Sequence, residues 1–322
     1  MCTFNGAAYL PAQLASIAAQ TRPPDELVIC DDGSTDATHE LLTEFAARAH
    51  MPVRIHVNER NVGAVKNFAR AIELCTGDII ALCDQDDIWR ADKLRRTEAV
   101  LAANPQVGLV FTNAEIVDEH TRPLGHHIWE CVRFTPERQR LFTRGHAFAL
   151  LLEHTFVTGA TLCFRAAFKE LVLPIPTDLV IIHDAWIARM ISAAAELAMI
   201  GEPLVQYRWH DTQQIGVPLP PNGTKPTWPA ALRAGLRRRV AFDASLHDLS
   251  VTWERLNARA DAYHFKAGVR SSLGARIAHL QTRARLPANR LRRLPLALRE
   301  LLSLRYHAYS NGLLSVAKDL LC

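Results

Sequence analysis

Short apolar runs alternate with segments of helical periodicity along the first 111 residues of this chain, and this rhythm restricts the possible folds more than any other feature. The pattern predicts, in order, helix 7–20, strand 27–30, a helix ending near 49, strand 53–57, helix 65–75, strand 79–83, helix 93–103 and strand 107–111. Residues 112–220 are less regular, with a helix predicted near 185–199. Strands and helices alternating in this way are typical of a doubly wound α/β fold, with a mostly parallel sheet flanked by helices. Ligands of such sheets bind beyond the carboxyl ends of the strands.

Acidic side chains follow two of these predicted strands. Asp31 and Asp32 end the first, and the segment Asp84–Asp87, with three carboxylates in four positions, ends the second. Carboxylates this close repel one another and therefore favour a bound cation. Mg²⁺ and Mn²⁺ prefer oxygen ligands and usually keep one or two protein carboxylates alongside the phosphates of a substrate. The sequence therefore predicts one nucleotide–metal site at the two strand ends.

The charge of the chain is unevenly distributed. From Lys225 onward there are 18 Lys and Arg residues against 6 Asp and Glu, a net charge of +12, whereas residues 1–224 have a net charge of −8. Prolines concentrate between 218 and 229. We therefore predict a catalytic domain at 1–217, a Pro-rich linker at 218–229 and a basic helical region at 230–322.

The basic region contains arginines interleaved with leucines. Leu294–Leu304, followed by Tyr306 and Tyr309, has the pattern of a basic amphipathic helix with aromatic anchors. Such helices lie in the interface of anionic membranes, although a solvated helical face accounts for the pattern equally well. Nucleic-acid binding is disfavoured because no nucleic-acid-binding motif accompanies the charge.

Cysteine usage and hydropathy bear on location. The seven cysteines show no C-x-x-C spacing, which predicts a reducing environment without disulfides or a zinc site. No apolar run reaches the ~18–20 residues that span a bilayer, and no signal peptide is visible. We expect a cytoplasmic protein, or a peripheral one on the inner face of the plasma membrane. Only Met1–Phe4 precede the first loop, so the first strand is expected to be truncated or to begin upstream.

Several short motifs occur together in the order typical of one enzyme family. They are Cys2–Gly6, Asp31–Asp36, Asn61–Gly63, Cys83–Trp89, His183–Trp186 and Tyr207–His210. Over residues 1–216 the chain resembles glycosyltransferase family 2, and most of all its rhamnosyltransferase-like branch, which takes part in surface polysaccharide assembly. The pair His183-Asp184 replaces the Glu-Asp common elsewhere in the family, in keeping with that branch.

The resemblance implies a GT-A-type fold, a nucleotide-diphosphate sugar donor, a divalent metal (Mg²⁺ or Mn²⁺) and inversion at the anomeric carbon. It assigns Asp184 as the general base. Its implied donor-binding residues are Thr3, Asn5, Asp32, Asp84 and Asp86, and its implied metal ligands are Asp86 and His210. By the same resemblance, Asp32 contacts the base, and Asp84 of the D-x-D motif contacts the ribose.

The chemistry of sugar transfer gives these assignments their reason. A nucleoside diphosphate that leaves a sugar develops negative charge, which a metal at Asp86 would stabilise. A carboxylate facing the acceptor hydroxyl, here Asp184, contributes typically ~10²–10⁴-fold by removing its proton. Trp186 is predicted as a stacking surface for a sugar ring. Structural roles remain open for Asp184, as a helix N-cap, and for His210, as an ordinary buried polar group.

The sequence therefore predicts an inverting, metal-dependent transferase that moves a deoxyhexose or hexose, with dTDP-rhamnose as the expected donor, to a polysaccharide or lipid-linked acceptor. One alternative is a nucleotidyltransferase, which would usually need a Gly-rich basic loop that Asn5-Gly6 alone does not supply. Another is a catalytically silent scaffold that docks an assembly complex through its basic region.

Overall fold

The computed structural model describes residues 1–211, 213, 216, 219, 242–287, 289–310 and 312–321, with backbone only at 290, 308, 309 and 321. The chain forms two compact units, Met1–Pro220 and Pro221–Cys322. Apart from Leu219, the predicted linker at 218–229 falls outside the described residues, as does the start of the predicted basic region, 230–241.

The first unit begins with a three-stranded parallel sheet in the order β1-β2-β3. Its elements are β1 (Cys2–Thr3), α1 (Leu10–Ala18), β2 (Leu27–Asp31), α2 (Thr38–Arg48), β3 (Val53–Val57) and α3 (Ala64–Leu74). Every residue of β2 is buried, as expected for the central strand of a parallel sheet covered on both faces. Thr3 pairs with Asp31 at the carboxyl ends of β1 and β2, so the side chains that follow both strands meet at one edge.

A second, six-stranded sheet follows, in the order β4-β8-β6-β9-β5, with β7 paired to β6. Its strands are β4 (Ile79–Ala81), β5 (Ile88–Trp89), β6 (Val107–Val117), β7 (Pro123–His127), β8 (Leu162–Arg165) and β9 (Glu196–Arg208). The β6–β9 pair is parallel, and the other pairs of this sheet are antiparallel. The amide of Cys2 donates to the carbonyl of Cys83 at 3.2 Å and links the two sheets. The predicted mixed α/β fold is confirmed, with antiparallel pairing confined to this second half.

The helices of the second half cover this sheet. They are α4 (Lys93–Ala103), α5 (Ile128–Cys131), α6 (Pro136–Leu141), α7 (Ala147–Leu151), α8 (Lys169–Val172) and α9 (His183–Ala194), with a π-helical turn at Phe142–His146. Eleven of the twelve residues of α9 are buried. The predicted helix near 185–199 was too long, because the chain turns after Ala195 and enters β9 at Glu196.

Aromatic side chains fill the core beside β6. The ring of Phe111 lies 5.5–6.0 Å, centroid to centroid, from those of Trp129, Phe134, Phe142 and Phe156. All five side chains are buried. This cluster anchors the segment between β7 and β8 and thereby the turn that precedes β8.

The second unit is helical in its described residues. It contains α10 (Phe242–Ala258), α11 (Val269–Ala284), α12 (Arg290–Leu302), α13 (Arg305–Tyr309) and α14 (Leu313–Leu321). None of the helices in the described ranges combines the length and apolar composition that crossing a bilayer requires.

Charged and polar side chains fill part of the core of the helical unit. Arg283 donates from Nε and Nη2 to the two carboxylate oxygens of Asp319 at 2.6 and 2.9 Å, and the hydroxyl of Tyr306 donates to the same carboxylate at 2.7 Å. His279 Nδ1 lies 2.7 Å from Glu300 Oε2. The prediction of Tyr306 as a membrane anchor is therefore wrong, because this side chain is 1% exposed.

Candidate active site

The segment Asp84–Asp87 lies between β4 and β5, where β4 ends. Asp84 and Asp86 remain partly exposed. Burial, together with the charges of Asp86 and Asp184, raises the pKa of Asp84 to about 7. Asp184 is therefore near Asp84 in space, although 100 positions separate the two residues in the chain. Carboxylates that repel one another in this way favour a bound cation.

Asp87 and Arg208 hold this segment in place. Asp87 is buried and accepts a hydrogen bond from the amide of Arg208 at 3.1 Å. The Arg208 guanidinium donates from Nε to the backbone carbonyl of Asp86 at 2.7 Å and from Nη1 to that of Glu119 at 2.6 Å. Arg208 therefore binds the segment through its backbone and leaves the Asp86 carboxylate to another partner.

That partner is His210, whose Nε2 lies 3.1 Å from Asp86 Oδ2. The side chains of His210 and Asp86 are 6% and 16% exposed, and the ring of Tyr9 lies 4.5 Å from that of His210. No group of three or more His, Cys, Asp or Glu side chains suited to a metal occurs among the described residues. Mg²⁺ and Mn²⁺ need only one or two protein ligands when substrate phosphates supply others. The Asp86–His210 pair therefore fits such an ion.

Asp184 is the second residue of α9. Its Oδ2 accepts a hydrogen bond from the amide of Gly159 at 2.9 Å, and its Oδ1 accepts one from the amide of Ala185 at 2.6 Å. A carboxylate in the first turn of a helix also interacts favourably with the helix dipole. The N-cap of α9 is Ile182, so the prediction of Asp184 as the helix N-cap is wrong. The structural contact that Asp184 does make is with the Gly159 amide, and its catalytic role stays a prediction.

The loops after β1 and β2 form the side of the site assigned to the nucleotide. Thr3 Oγ1 donates to Asp31 Oδ1 at 2.7 Å, and Asn5 Oδ1 accepts from the amide of Thr35 at 2.8 Å. Asp32 is buried, and its carboxylate accepts from Asn58 Nδ2, the Val62 amide and the Gly63 amide at 2.7–2.9 Å.

The three hydrogen bonds of the Asp32 side chain all order the loop 58–63. Gly63 has a φ of 87°, a backbone conformation that favours glycine. In this structure the Asp32 side chain helps to order that loop, and its contact with a base stays a prediction.

Gln85 joins the acidic segment to the loop after β1. Its Oε1 accepts from the amide of Phe4 at 2.8 Å, and its Nε2 donates to the Phe4 carbonyl at 3.0 Å. A Cβ at Gly6 would lie 2.2 Å from that Oε1, so this position has room only for glycine while the two bonds exist. Gln85 and Gly6 were not predicted as site residues, because a glutamine between aspartates carries no sequence signal for a backbone contact across the sheet.

Lys93 is a second residue that the sequence did not single out. It is fully buried at the start of α4, with Nζ 3.5 Å from the Trp89 ring centroid and 3.1 Å from the Ala160 carbonyl. Burial lowers its pKa, while nearby carboxylates, among them Asp84, act in the opposite direction. Lys93 therefore connects the end of the acidic segment to the turn at Gly159, which binds Asp184.

The structure brings Asp84, Asp86, Asp184 and His210 together. It places Thr3 at the end of β1 and Asn5 on the following loop, which Gln85 connects to the acidic segment. Asp32 lies at the next strand end, where it orders its own loop. The catalytic, donor and metal roles assigned to these residues stay predictions.

The prediction of Trp186 as a sugar-stacking surface is wrong. Trp186 is 0% exposed, and its Nε1 donates to the Val172 carbonyl at 2.9 Å inside the core.

A family model, Glycosyl transferase family 2, matches residues 1–196. The chain therefore belongs to glycosyltransferase family 2, as the sequence predicted. It is 27% identical over 209 residues to an uncharacterized glycosyltransferase of Nostoc sp., a match that covers 64% of this chain and 62% of that protein. It is 30% identical over 121 residues to the UDP-Glc:alpha-D-GlcNAc-diphosphoundecaprenol beta-1,3-glucosyltransferase WfgD of Escherichia coli, over 38% of this chain and 46% of that one. The match thus spans less than two thirds of either relative.

Solved structures share the fold. TarS 1–349 of S. aureus, in complex with UDP-GlcNAc, aligns with a TM-score of 0.57 and 13% identity over 98% of this chain and 88% of that chain. The mannosyltransferase PcManGT of Pyrobaculum calidifontis, in complex with GDP-Man and Mn²⁺, aligns with a TM-score of 0.50 and 18% identity over 98% and 76%. These likenesses confirm the predicted GT-A-type fold.

Proposed function

We propose that this protein transfers a sugar from a nucleotide-diphosphate donor to a polysaccharide or lipid-linked acceptor, with a divalent metal and with inversion at the anomeric carbon. The observation that carries the proposal is the meeting of Asp84 and Asp86, from the end of β4, with Asp184, from the start of α9. Family membership and the Asp86–His210 contact at 3.1 Å support it.

Asp86 and His210 would hold the metal, and Asp84 lies beside them, after the carboxyl end of β4. A divalent cation there would stabilise the negative charge that develops on the leaving diphosphate. Thr3 and Asn5 are proposed to line the nucleotide pocket, because Gln85 fixes their loop against the acidic segment.

Asp184 is proposed to remove the proton of the acceptor hydroxyl. The amides of Gly159 and Ala185 donate to its two carboxylate oxygens and fix the position of the carboxylate. Direct attack by the acceptor on the face opposite the leaving group needs one base and no covalent intermediate. Inversion is therefore the stereochemistry that suits this single carboxylate.

The chemistry of the relatives guides the choice of substrates. TarS was solved with UDP-GlcNAc, and PcManGT with GDP-Man and Mn²⁺. The name of WfgD describes a glucosyltransferase that acts on a diphosphoundecaprenol-linked sugar. We propose a nucleotide sugar, dTDP-rhamnose in the first instance, as the donor. A saccharide carried on a lipid diphosphate is the proposed acceptor, at the inner face of the plasma membrane.

Donor identity and metal dependence can be tested together on the full-length chain. We expect one of the UDP-, GDP- or dTDP-sugars to raise the melting temperature only when Mn²⁺ or Mg²⁺ is present. Asp86→Ala should abolish the metal-dependent part of this shift. Asp184→Asn should keep the shift but lower the transfer rate by about 10²–10⁴-fold, the contribution of a general base. Asp25→Asn, whose side chain is 81% exposed, serves as the control that changes nothing.

The released product separates the alternatives. A glycosyltransferase releases a nucleoside diphosphate, whereas a nucleotidyltransferase would release pyrophosphate, and NMR of the glycoside gives the anomeric configuration. Absence of nucleotide-sugar binding with either metal would leave the scaffold alternative. Retention of configuration, or full activity of Asp184→Asn, would contradict the assigned mechanism.

A further inference from the structure

One face of α12 is apolar and exposed. Leu291, Leu294, Leu298 and Leu302 are 82%, 46%, 46% and 82% exposed, and their spacing of three to four residues aligns them along the helix. We call these four side chains the leucine face. Pro295 lies within it and is exposed as well.

The opposite side of the same helix is polar and buried. Glu300 is 3% exposed and binds His279 and Arg305 at 2.7 and 3.1 Å. Arg293 donates to the backbone carbonyls of Pro287 and Asp319 at 2.6 and 2.9 Å. The helix thus buries charged groups and exposes leucines. An ordinary surface helix does the opposite, with its apolar side towards the core and its polar side towards water. Exposed apolar patches flanked by polar residues mark interaction sites.

Positive charge borders the leucine face. Arg292 and Arg299 are exposed and project beside it, one hundred degrees or less around the helix from Leu291 in the geometry of an α-helix. Residues 242–322 carry 13 Lys and Arg against 6 Asp and Glu. Leu304, Leu313 and Leu314 add further exposed apolar side chains after α12, at 65%, 65% and 49% exposure.

We propose that the leucine face binds the surface of an anionic phospholipid bilayer. An amphipathic helix that presents leucines between arginines inserts its apolar side at the boundary of headgroups and acyl chains, while the arginines contact the acidic headgroups. A second copy of the chain fits this face less well, because a two-fold contact would bring the arginines of both copies together. The proposal depends on the exposure and charge of α12 and not on sugar transfer, so each can fail without the other.

Vesicle flotation with the full-length chain tests the proposal. We expect recovery with vesicles of phosphatidylcholine containing 30% phosphatidylglycerol, little recovery with phosphatidylcholine alone, and loss of binding in 0.5 M NaCl because salt screens the headgroup charge. The variant Leu291→Ser/Leu294→Ser/Leu298→Ser/Leu302→Ser should fall to background. Arg292→Gln/Arg299→Gln should weaken binding about 30-fold, since each basic residue near the surface contributes ~1 kcal/mol.

Val180→Ser changes an apolar residue that is 69% exposed in the other unit and should bind vesicles like the unmodified chain. Because all substituted side chains are exposed, circular dichroism should show unchanged helix content. Equal recovery with neutral and anionic vesicles, no recovery with either, or full binding by the leucine variant would each overturn the proposal. So would a leucine variant that changes only the sedimentation coefficient, which would identify the face as a contact between copies.

Discussion

His183 is a polar side chain held inside the first unit without a polar partner. Its ring stacks on Phe68 at 4.1 Å between centroids, and neither ring nitrogen has a hydrogen-bond partner among the described residues. Burial lowers the pKa of His183, and the neighbouring charge of Asp184 opposes this only in part. The folded chain therefore holds this imidazole neutral beside the proposed base.

This residue makes stability depend on pH. Because the folded pKa is below the ordinary value of 6.5, the unfolded chain takes up a proton as the pH falls through 6.5 while the folded chain does not. Stability is expected to fall over that range, by up to about 1.4 kcal/mol per pH unit from this group. His183→Gln should flatten the dependence measured by urea unfolding between pH 7.5 and 5.

His50→Gln is the matched control, because His50 is exposed and lies two residues after the end of α2. This variant should keep the pH dependence of the unmodified chain. An unchanged slope in His183→Gln would show that the imidazole is not held neutral. The sequence could not indicate the stacking of His183 on Phe68, because that contact joins two helices distant in the chain.

At the scale of elements, the site depends on loops that other elements hold in place. Gln85 binds both backbone groups of Phe4 and so couples the loop after β1 to the loop after β4. The short β1 alone offers only two residues of pairing to β2. The Gln85 contacts to Phe4 therefore add to the hydrogen bonds by which Thr3 and Asn5 bind Asp31 and Thr35.

Gly6→Ala should break this link. The added Cβ would lie 2.2 Å from Gln85 Oε1 and force the side chain away from Phe4, at a cost of roughly 1.4 kcal/mol, or about tenfold in nucleotide affinity. Titration calorimetry would measure the affinity. In a Gln85→Ala background the same substitution should have no further effect, since the atom it displaces is gone.

Gly77→Ala is the control for the Gly6→Ala and Gln85→Ala variants. A Cβ added at Gly77 would have the Ile79 carbonyl oxygen as its nearest atom, at 3.7 Å, so no side chain would move. Additive losses in the double variant Gly6→Ala/Gln85→Ala would contradict the coupling. Periodicity predicted where β1 and β4 end. It could not predict the Gln85–Phe4 hydrogen bonds between the two following loops, because these depend on the fold bringing the ends of the two strands together.

The prediction of elements succeeded where local pattern and final environment agree. Val53–Val57 and Lys93–Ala103 have the bounds that periodicity predicted. The helix predicted near 185–199 failed at its end, since the apolar run continues from α9 into β9 and only pairing with β6 separates helix from strand. An apolar run by itself does not distinguish a buried helix from a buried strand.

At the scale of the whole molecule, the two compact units have cores of different character. The first packs aromatic and aliphatic side chains around β6. The second encloses the ion pair of Arg283 and Asp319, whose side chains are 6% and 7% exposed. Removing one partner of such a pair leaves a buried charge without compensation, which costs several kcal/mol.

Asp319→Asn is therefore expected to destabilise the helical unit by about 3 kcal/mol and to leave the unfolding of the first unit unchanged. Calorimetry or denaturant unfolding should show two transitions, of which only one shifts. Arg285→Gln, at an exposed position of the same unit, should shift neither. A single transition that moves as a whole would contradict independent unfolding of the two units.

The sequence by itself determined the class of fold, the family and the position of the acidic strand end, because these depend on local periodicity and on short motifs. The tertiary structure alone decided which residues meet. It placed Asp184 beside Asp84, buried Trp186 and Tyr306, enclosed Lys93 beneath the site and turned the leucines of α12 outward. Each of these outcomes depends on contacts between segments far apart in the chain, and no local pattern encodes which side of an element its neighbours will cover.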